Sequence, residues 1–218
     1  VPVDLILFAD PGGEQPHTYH YLRIMDQWLR EHGMPGITRV WYTDRQGQRL
    51  TLEQECLRSA SLPSIAYGWK KCSLKHKVAP QEKFCAHYPP CQAAWARGEN
   101  VVKMIGYDAG EEKRRLRALP HDLTDRKYQK AYPLMEWGWD RGECIRQIEA
   151  AGLPQPGKSS CFFCPSMRAE EIIDLREHYP DLFRRALAFE DNAKANLKTV
   201  RGLGRNYSWK ERFGKEFI

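Results

Sequence analysis

The sequence predicts an α/β protein, a doubly wound and mostly parallel sheet with a helical, cysteine-bearing C-terminal part. Three observations lead there. Val3 to Ala9 (VDLILFA) is a continuous run, apolar but for Asp4, that stops in Asp10-Pro11-Gly12-Gly13, the pattern of a parallel strand buried on both faces. Tyr21, Leu22, Met25, Trp28 and Leu29 then recur at helical spacing up to Gly33, and Ile37 to Tyr42 reads as a second strand. Strand, helix and strand with short joints make a βαβ unit, whose crossover is right-handed. Finally, Cys161-Phe-Phe-Cys164 lies between a loop and two further helical stretches.

The remaining elements follow in order. Residues 43–60 are polar, a loop and then a short helix capped at Thr51. Val101 to Gly106 is a third strand ending in a turn, and Glu111 to Leu119 is a helix that Pro120 stops. Tyr132-Pro133-Leu134 is extended, and Asp140 to Ala151 is an amphipathic helix closed by Gly152. Helices over Ala169 to His178 and Asp181 to Leu197 are divided at Tyr179-Pro180, and the Gly-, Arg- and Lys-rich end is expected to be loosely held. The expected division is a core over 1–135, a helical part over 136–200 and a tail over 201–218.

Composition narrows the class. The chain has 218 residues, 34 Lys+Arg against 28 Asp+Glu and a net charge of +6, so an anionic partner is permitted but not demanded. With 42% hydrophobic and 11% aromatic residues it can build a core, and no apolar run has the roughly 20 residues of a membrane helix. No secretory signal is visible, and an odd seven cysteines make a poor disulfide framework. Together these point to a reducing, cytoplasmic setting without a membrane partner. Because the chain opens at Val1, directly on an apolar strand, the expectation is a processed start or a longer parent.

Four segments could carry chemistry. Asp10, Gly12, Gly13 and Glu14, with Thr18 beyond, follow the first strand, where glycines let backbone approach a nucleotide and a carboxylate can hold a ribose hydroxyl or a metal. The plainer reading is a strand-to-helix turn. Gly106, Asp108, Glu111 and Arg114 follow the third strand in the same way, with further arginines that could equally be a solvated helix face. Cys161 and Cys164 have the spacing of a metal clip, for zinc or an iron–sulfur cluster, with Cys72, Cys85, Cys91 and Cys144 as candidates for the other ligands; Cys56 is excluded as part of a polar helix. Cys72 sits in the basic run Lys70 to Lys77, ordinarily a solvated face.

Taken in order, these segments resemble the phosphoadenosine-phosphosulfate (PAPS) reductase-like family of the adenine-nucleotide α-hydrolase (ATP-pyrophosphatase) superfamily. Phe8-Ala9-Asp10-Pro11-Gly12-Gly13-Glu14 with Pro16 and Thr18-Tyr19 is similar to its ADTGxExPxTY segment. Lys71-Cys72 through Lys77-Val78-Ala79-Pro80 is similar to its cysteine segment, Ile105-Gly106-Tyr107-Asp108 with Glu111 and Arg114 or Arg115 to its Gly/acid/Arg segment, and Tyr132-Pro133-Leu134 with Trp137 to its PL…W stretch. Cys161-Phe-Phe-Cys164-Pro165 looks like the cysteine pair of its cluster-bearing members. Two departures accompany the match. The SGGKDS-type pyrophosphate loop, expected just upstream of Val1, is absent from the sequence, as is the C-terminal ECGLH-type nucleophilic cysteine.

The resemblance implies an enzyme that binds ATP or PAPS at Asp10, Gly12, Gly13, Glu14, Thr18, Gly106, Asp108, Glu111 and Arg114. It implies a [4Fe–4S] cluster on Cys72, Cys144, Cys161 and Cys164, with sulfur transfer or sulfonucleotide chemistry on an acceptor such as a nucleic acid. Cys144 is preferred to Cys85 and Cys91 because the helix from Asp140 is expected to bring it toward the Cys161 loop. No catalytic residue is assigned. The alternative is a non-catalytic module with a structural zinc site that binds nucleic acid or a protein partner.

Overall fold

The computed structural model describes residues 2–214. In chain order the elements are β1 (Ile6–Ala9), α1 (Pro16–Glu31), β2 (Ile37–Val40), α2 (Leu52–Arg58), α3 (Lys71–Ser73), a π turn (Leu74–Val78), α4 (Ala79–His87) and α5 (Pro89–Ala96). They continue with β3 (Val101–Met104), α6 (Glu112–Thr124), β4 (Tyr128–Ala131), α7 (Pro133–Glu136), α8 (Arg141–Ala150), α9 (Ala169–His178), α10 (Pro180–Ala193) and α11 (Trp209–Phe213). No helix among the described residues is long and apolar enough to cross a membrane.

The chain forms two compact units, residues 1–83 with 157–218 and residues 84–156, where the sequence suggested boundaries at 135 and 200. In the first unit β1 and β2 pair in parallel, from Ile6 opposite Ile37 to Ala9 opposite Val40, and α1 connects them as the βαβ reading requires. Pro16 opens α1 at its first turn, where its missing N–H costs nothing, and Gly33 leaves it at φ +69°. Thr51 and Gln54 cap α2 reciprocally, Gln54 N–H donating to Thr51 Oγ1 at 3.1 Å and Thr51 N–H to Gln54 Oε1 at 3.0 Å. The core of this unit joins α2, α9, α10, α11 and the cysteine loop around Phe162, Phe163, Ile172, Leu175, Phe183, Phe189 and Trp209, all nearly or wholly buried.

The second unit carries β3 paired in parallel with β4, from Val101 opposite Tyr128 to Met104 opposite Ala131. Along β3, Val102 and Met104 are exposed while Val101 and Lys103 are half-buried, so only one face of this pair is covered. That alternation is why no doubly wound sheet forms here. The α/β class holds, but the described strands make two separate parallel pairs, each strand four residues long.

Other expectations are corrected. Pro120 lies inside α6, which runs on to Thr124, because a proline forfeits only its own N–H and the residues after it can resume the ladder. Tyr132-Pro133-Leu134 leads into α7 with Pro133 at its first turn, and the strand is the preceding Tyr128–Ala131. The expected tail over 201–218 is, as far as Gly214, anchored. Leu203 and Trp209 are buried, and the Glu190 carboxylate accepts hydrogen bonds from Leu203 N–H at 2.6 Å, Trp209 N–H at 3.0 Å, Lys210 N–H at 3.1 Å and the Ser208 hydroxyl.

Candidate functional site

The end of β1 delivers Asp10 into a buried position where four donors meet it. Gly12 N–H and the Tyr19 hydroxyl each donate to Oδ1 at 2.8 Å, while Arg39 and Arg49 donate to Oδ2 at 2.7 and 2.9 Å. Burial works to raise the Asp10 pKa, but these donors outweigh it and hold the carboxyl below its ordinary value. Both guanidiniums remain about half-exposed, with 50% and 42% of their side chains accessible. Arg39 stacks over Tyr19 at 5.4 Å and Arg49 over Trp41 at 5.1 Å. One carboxylate thus fixes two cations, leaving a surplus positive charge facing solvent at the sheet edge. The sequence pointed to Asp10 and missed both arginines; the available signal was a charged residue inside the β2 run, directly before Val40-Trp41.

Gly12 and Gly13 have separate reasons to be glycine. Gly12 sits at φ +82° against Thr51, and a Cβ on Gly13 would lie 2.6 Å from Phe163 Cε1. That close approach stitches the loop to the cysteine pair. Glu14 bridges Cys161 in antiparallel fashion, Phe162 N–H donates to Gly13 carbonyl at 2.8 Å, and Gln15 N–H donates to Ser160 carbonyl at 3.0 Å. The Glu14 side chain is wholly buried; Lys77 donates to its Oε1 at 2.8 Å, and its Oε2 has no partner. Thr18 Oγ1 is a second buried oxygen without a partner.

Lys77 comes from the basic run, which is exposed at Lys70 and Lys71 but turns inward over Lys75 to Lys77. Burial opposes its charge, yet Glu14 and the neighbouring sulfurs of Cys161 and Cys164 hold its pKa above the ordinary lysine value. The π turn opens the helix so that three successive basic residues reach carboxylates: Lys75 and His76 meet Glu55 at 2.5 and 2.6 Å, and Lys77 meets Glu14. Nothing in the sequence announced this turn. His76 is 1% exposed, and burial lowers its pKa despite the Glu55 carboxylate.

Burial is also the leading influence on the thiols. It pushes Cys161 well above the ordinary thiol value, with Glu14 adding to the effect and Lys77 opposing it, and it raises Cys164 against hydrogen bonding from Ser166. Cys72 acts on both, so three of the expected sulfur ligands share one neighbourhood of the first unit. Cys56, excluded on sequence, is buried, feels Cys72 and is pushed up to about 12, chiefly by burial. Cys144 belongs to the second unit, where its electrostatic neighbours are Asp108, Arg141 and Asp140; Cys85 and Cys91 are buried in that unit as well. Among the described residues no group of three or more His, Cys, Asp or Glu side chains is arranged to hold a metal ion. Of the expected set, the first unit brings Cys72, Cys161 and Cys164 into one neighbourhood, and Cys144 lies in the other unit.

In the second unit, the expected nucleotide contacts have local duties. Asp108 Oδ1 accepts from Gly110 N–H at 2.9 Å, and Glu111 reaches back to Asp108 N–H at 3.4 Å, a reciprocal cap. Arg114 pairs with Glu111 at 2.7 Å and covers Tyr107 at 4.3 Å, while Gly106 has open space around it. No protein-family model, curated protein or solved structure matches the chain. The chemistry therefore rests on the geometry of the loop after β1.

Proposed function

We propose that this chain is a PAPS reductase-like enzyme that binds an adenine nucleotide and performs sulfur chemistry beside the loop after β1. One observation carries the reading: Glu14, wholly buried with Oε2 unpartnered, is bridged through its backbone to Cys161. A desolvated carboxylate oxygen with no donor is costly, and a ribose hydroxyl admitted by a shift of the loop after β1 would satisfy it. The Thr18 hydroxyl would serve the same ligand, and the surplus charge of Arg39 and Arg49 suits its phosphates. Asp10 orients the two guanidiniums rather than touching ligand, since its oxygens are already engaged. Burial raises the Cys161 and Cys164 thiols above the ordinary value, so a sulfur step there works against that burial to form the thiolate.

Calorimetric titration with ATP and with PAPS tests the reading. Saturable binding that weakens at least about tenfold in Arg39→Gln/Arg49→Gln, as the loss of two charge-assisted contacts demands, supports it. Absence of binding by either nucleotide, together with a strongly salt-dependent affinity for nucleic acid, would replace it with the binding-module reading.

A further inference from the structure

Helix α2 and the segment from Ser59 to Ala79 line a cavity of about 630 Å³ in the first unit, broadly open to solvent and inside the roughly 300–1,000 Å³ range of small-molecule sites. Its walls are mostly apolar, formed by Leu52, Cys56, Leu62, Cys72, Leu74 and Ala79. The charges on it do not cancel. Glu55 is matched by Lys75 at 2.5 Å and also holds His76, whereas Lys71, exposed at the rim, has no carboxylate within ion-pair distance among the described residues. One positive charge is left over. The hydroxyls of Ser59, Ser61 and Ser64 add polar points on the same wall, although Ser64 Oγ already accepts from Cys72 N–H at 2.8 Å and the other two face each other at 2.8 Å.

We propose that this cavity binds a small amphiphilic monoanion, an aryl or branched-alkyl carboxylate or sulfonate, with its apolar body against Leu52, Leu62 and Leu74 and its anionic group at Lys71. The occupant is set by charge complementarity: a neutral apolar guest would leave the lysine unanswered, and a multiply charged one would meet Glu55 across the cavity. None of Asp10, Arg39 and Arg49 lines the cavity, and the proposal holds whether or not a nucleotide binds at them.

The probe is 8-anilinonaphthalene-1-sulfonate, a monoanion with an apolar body, compared with its neutral parent N-phenyl-1-naphthylamine by fluorescence titration of the full chain at low salt. The anion is expected to bind saturably and several-fold more tightly than the neutral compound. In Lys71→Gln that preference is expected to collapse, weakening the anion about three- to fivefold, the size of a partly exposed ion pair. Ala79→Trp, at an exposed position on the wall, fills the cavity and is expected to weaken both probes at least about tenfold while the far-ultraviolet circular dichroism stays unchanged. Trp137→Ala, on an exposed ring of the second unit, controls for adventitious probe binding and is expected to change nothing. Equal affinity for the two probes would overturn the anion assignment. Binding indifferent to Ala79→Trp, or lost in Trp137→Ala, would overturn the site.

Discussion

At the scale of single residues, the buried charges behave as anchors. Asp10 holds two guanidiniums, a hydroxyl and a backbone N–H, so Asp10→Asn strands both arginines and is expected to cost about 2–3 kcal/mol, below a fully buried pair because the arginines are half in water. Its lowered pKa also sets a pH dependence. The carboxylate contributes fully above the ordinary aspartate value of 3.8, and the contribution disappears as pH falls through the lower folded-state value. His76 works in a higher window. Burial makes the folded state take up its proton less readily than the unfolded chain, whose histidine titrates near 6.5, so stability falls as pH drops below that value. Urea midpoints should decrease between about pH 7.5 and about pH 5.5, and His76→Phe should show a smaller decrease. Equal decreases in both proteins would remove His76 from the account. Gly13 makes the steric case: with Phe163 wholly buried and unable to yield, Gly13→Ala is expected to cost about 1–3 kcal/mol in thermal or chemical denaturation.

Elements depend on these anchors in turn. The chain after α10 returns to it through Glu190, whose two oxygens receive three backbone N–H groups and the Ser208 hydroxyl. Glu190→Gln swaps one acceptor for an NH2 group facing two donors, and should destabilise the protein by about 2–3 kcal/mol and free residues 201–213 to limited proteolysis. Nothing local in the composition of that segment indicates this, because the anchoring carboxylate lies in α10, remote in sequence. Where structure is local, the sequence was readable: the periodicity of α1, the Thr51 cap of α2 and the bounds Ala169–His178 of α9 all appear as expected. The π turn and β4 escaped because neither has a distinctive pattern; in Tyr128–Ala131 the adjacent Gln129 and Lys130 break any alternation, and Lys75 to Lys77 look like any solvated basic run. At the candidate site the same division holds. Gly12, Gly13 and Glu14 announce a turn, whereas the link to Cys161 and the convergence of Arg39 and Arg49 are long-range pairings that only the folded chain makes.

On the scale of the whole molecule, the apolar core is unevenly shared. Of the buried hydrophobic residues among those described, only Cys85, Cys91 and Tyr128 fall within 84–156, and the connected core around Phe163 draws wholly on the first unit. A two-stranded sheet is marginal on its own, so each pair relies on what covers it, and β3 leaves Val102 and Met104 exposed. Local stability follows buried apolar contact, and opening should therefore be easier in the second unit. Native-state hydrogen exchange is expected to show the strongest protection in α9 and α10 and markedly weaker protection in α5, α6 and α8. Phe163→Ala separates the two units further. It should lower protection throughout the first unit, at a cost of about 3–5 kcal/mol, because it empties a site with no room to collapse without moving Phe162 and Phe189. If α6 and α8 instead exchanged as slowly as α10, burial within each unit would not govern the stability of this chain.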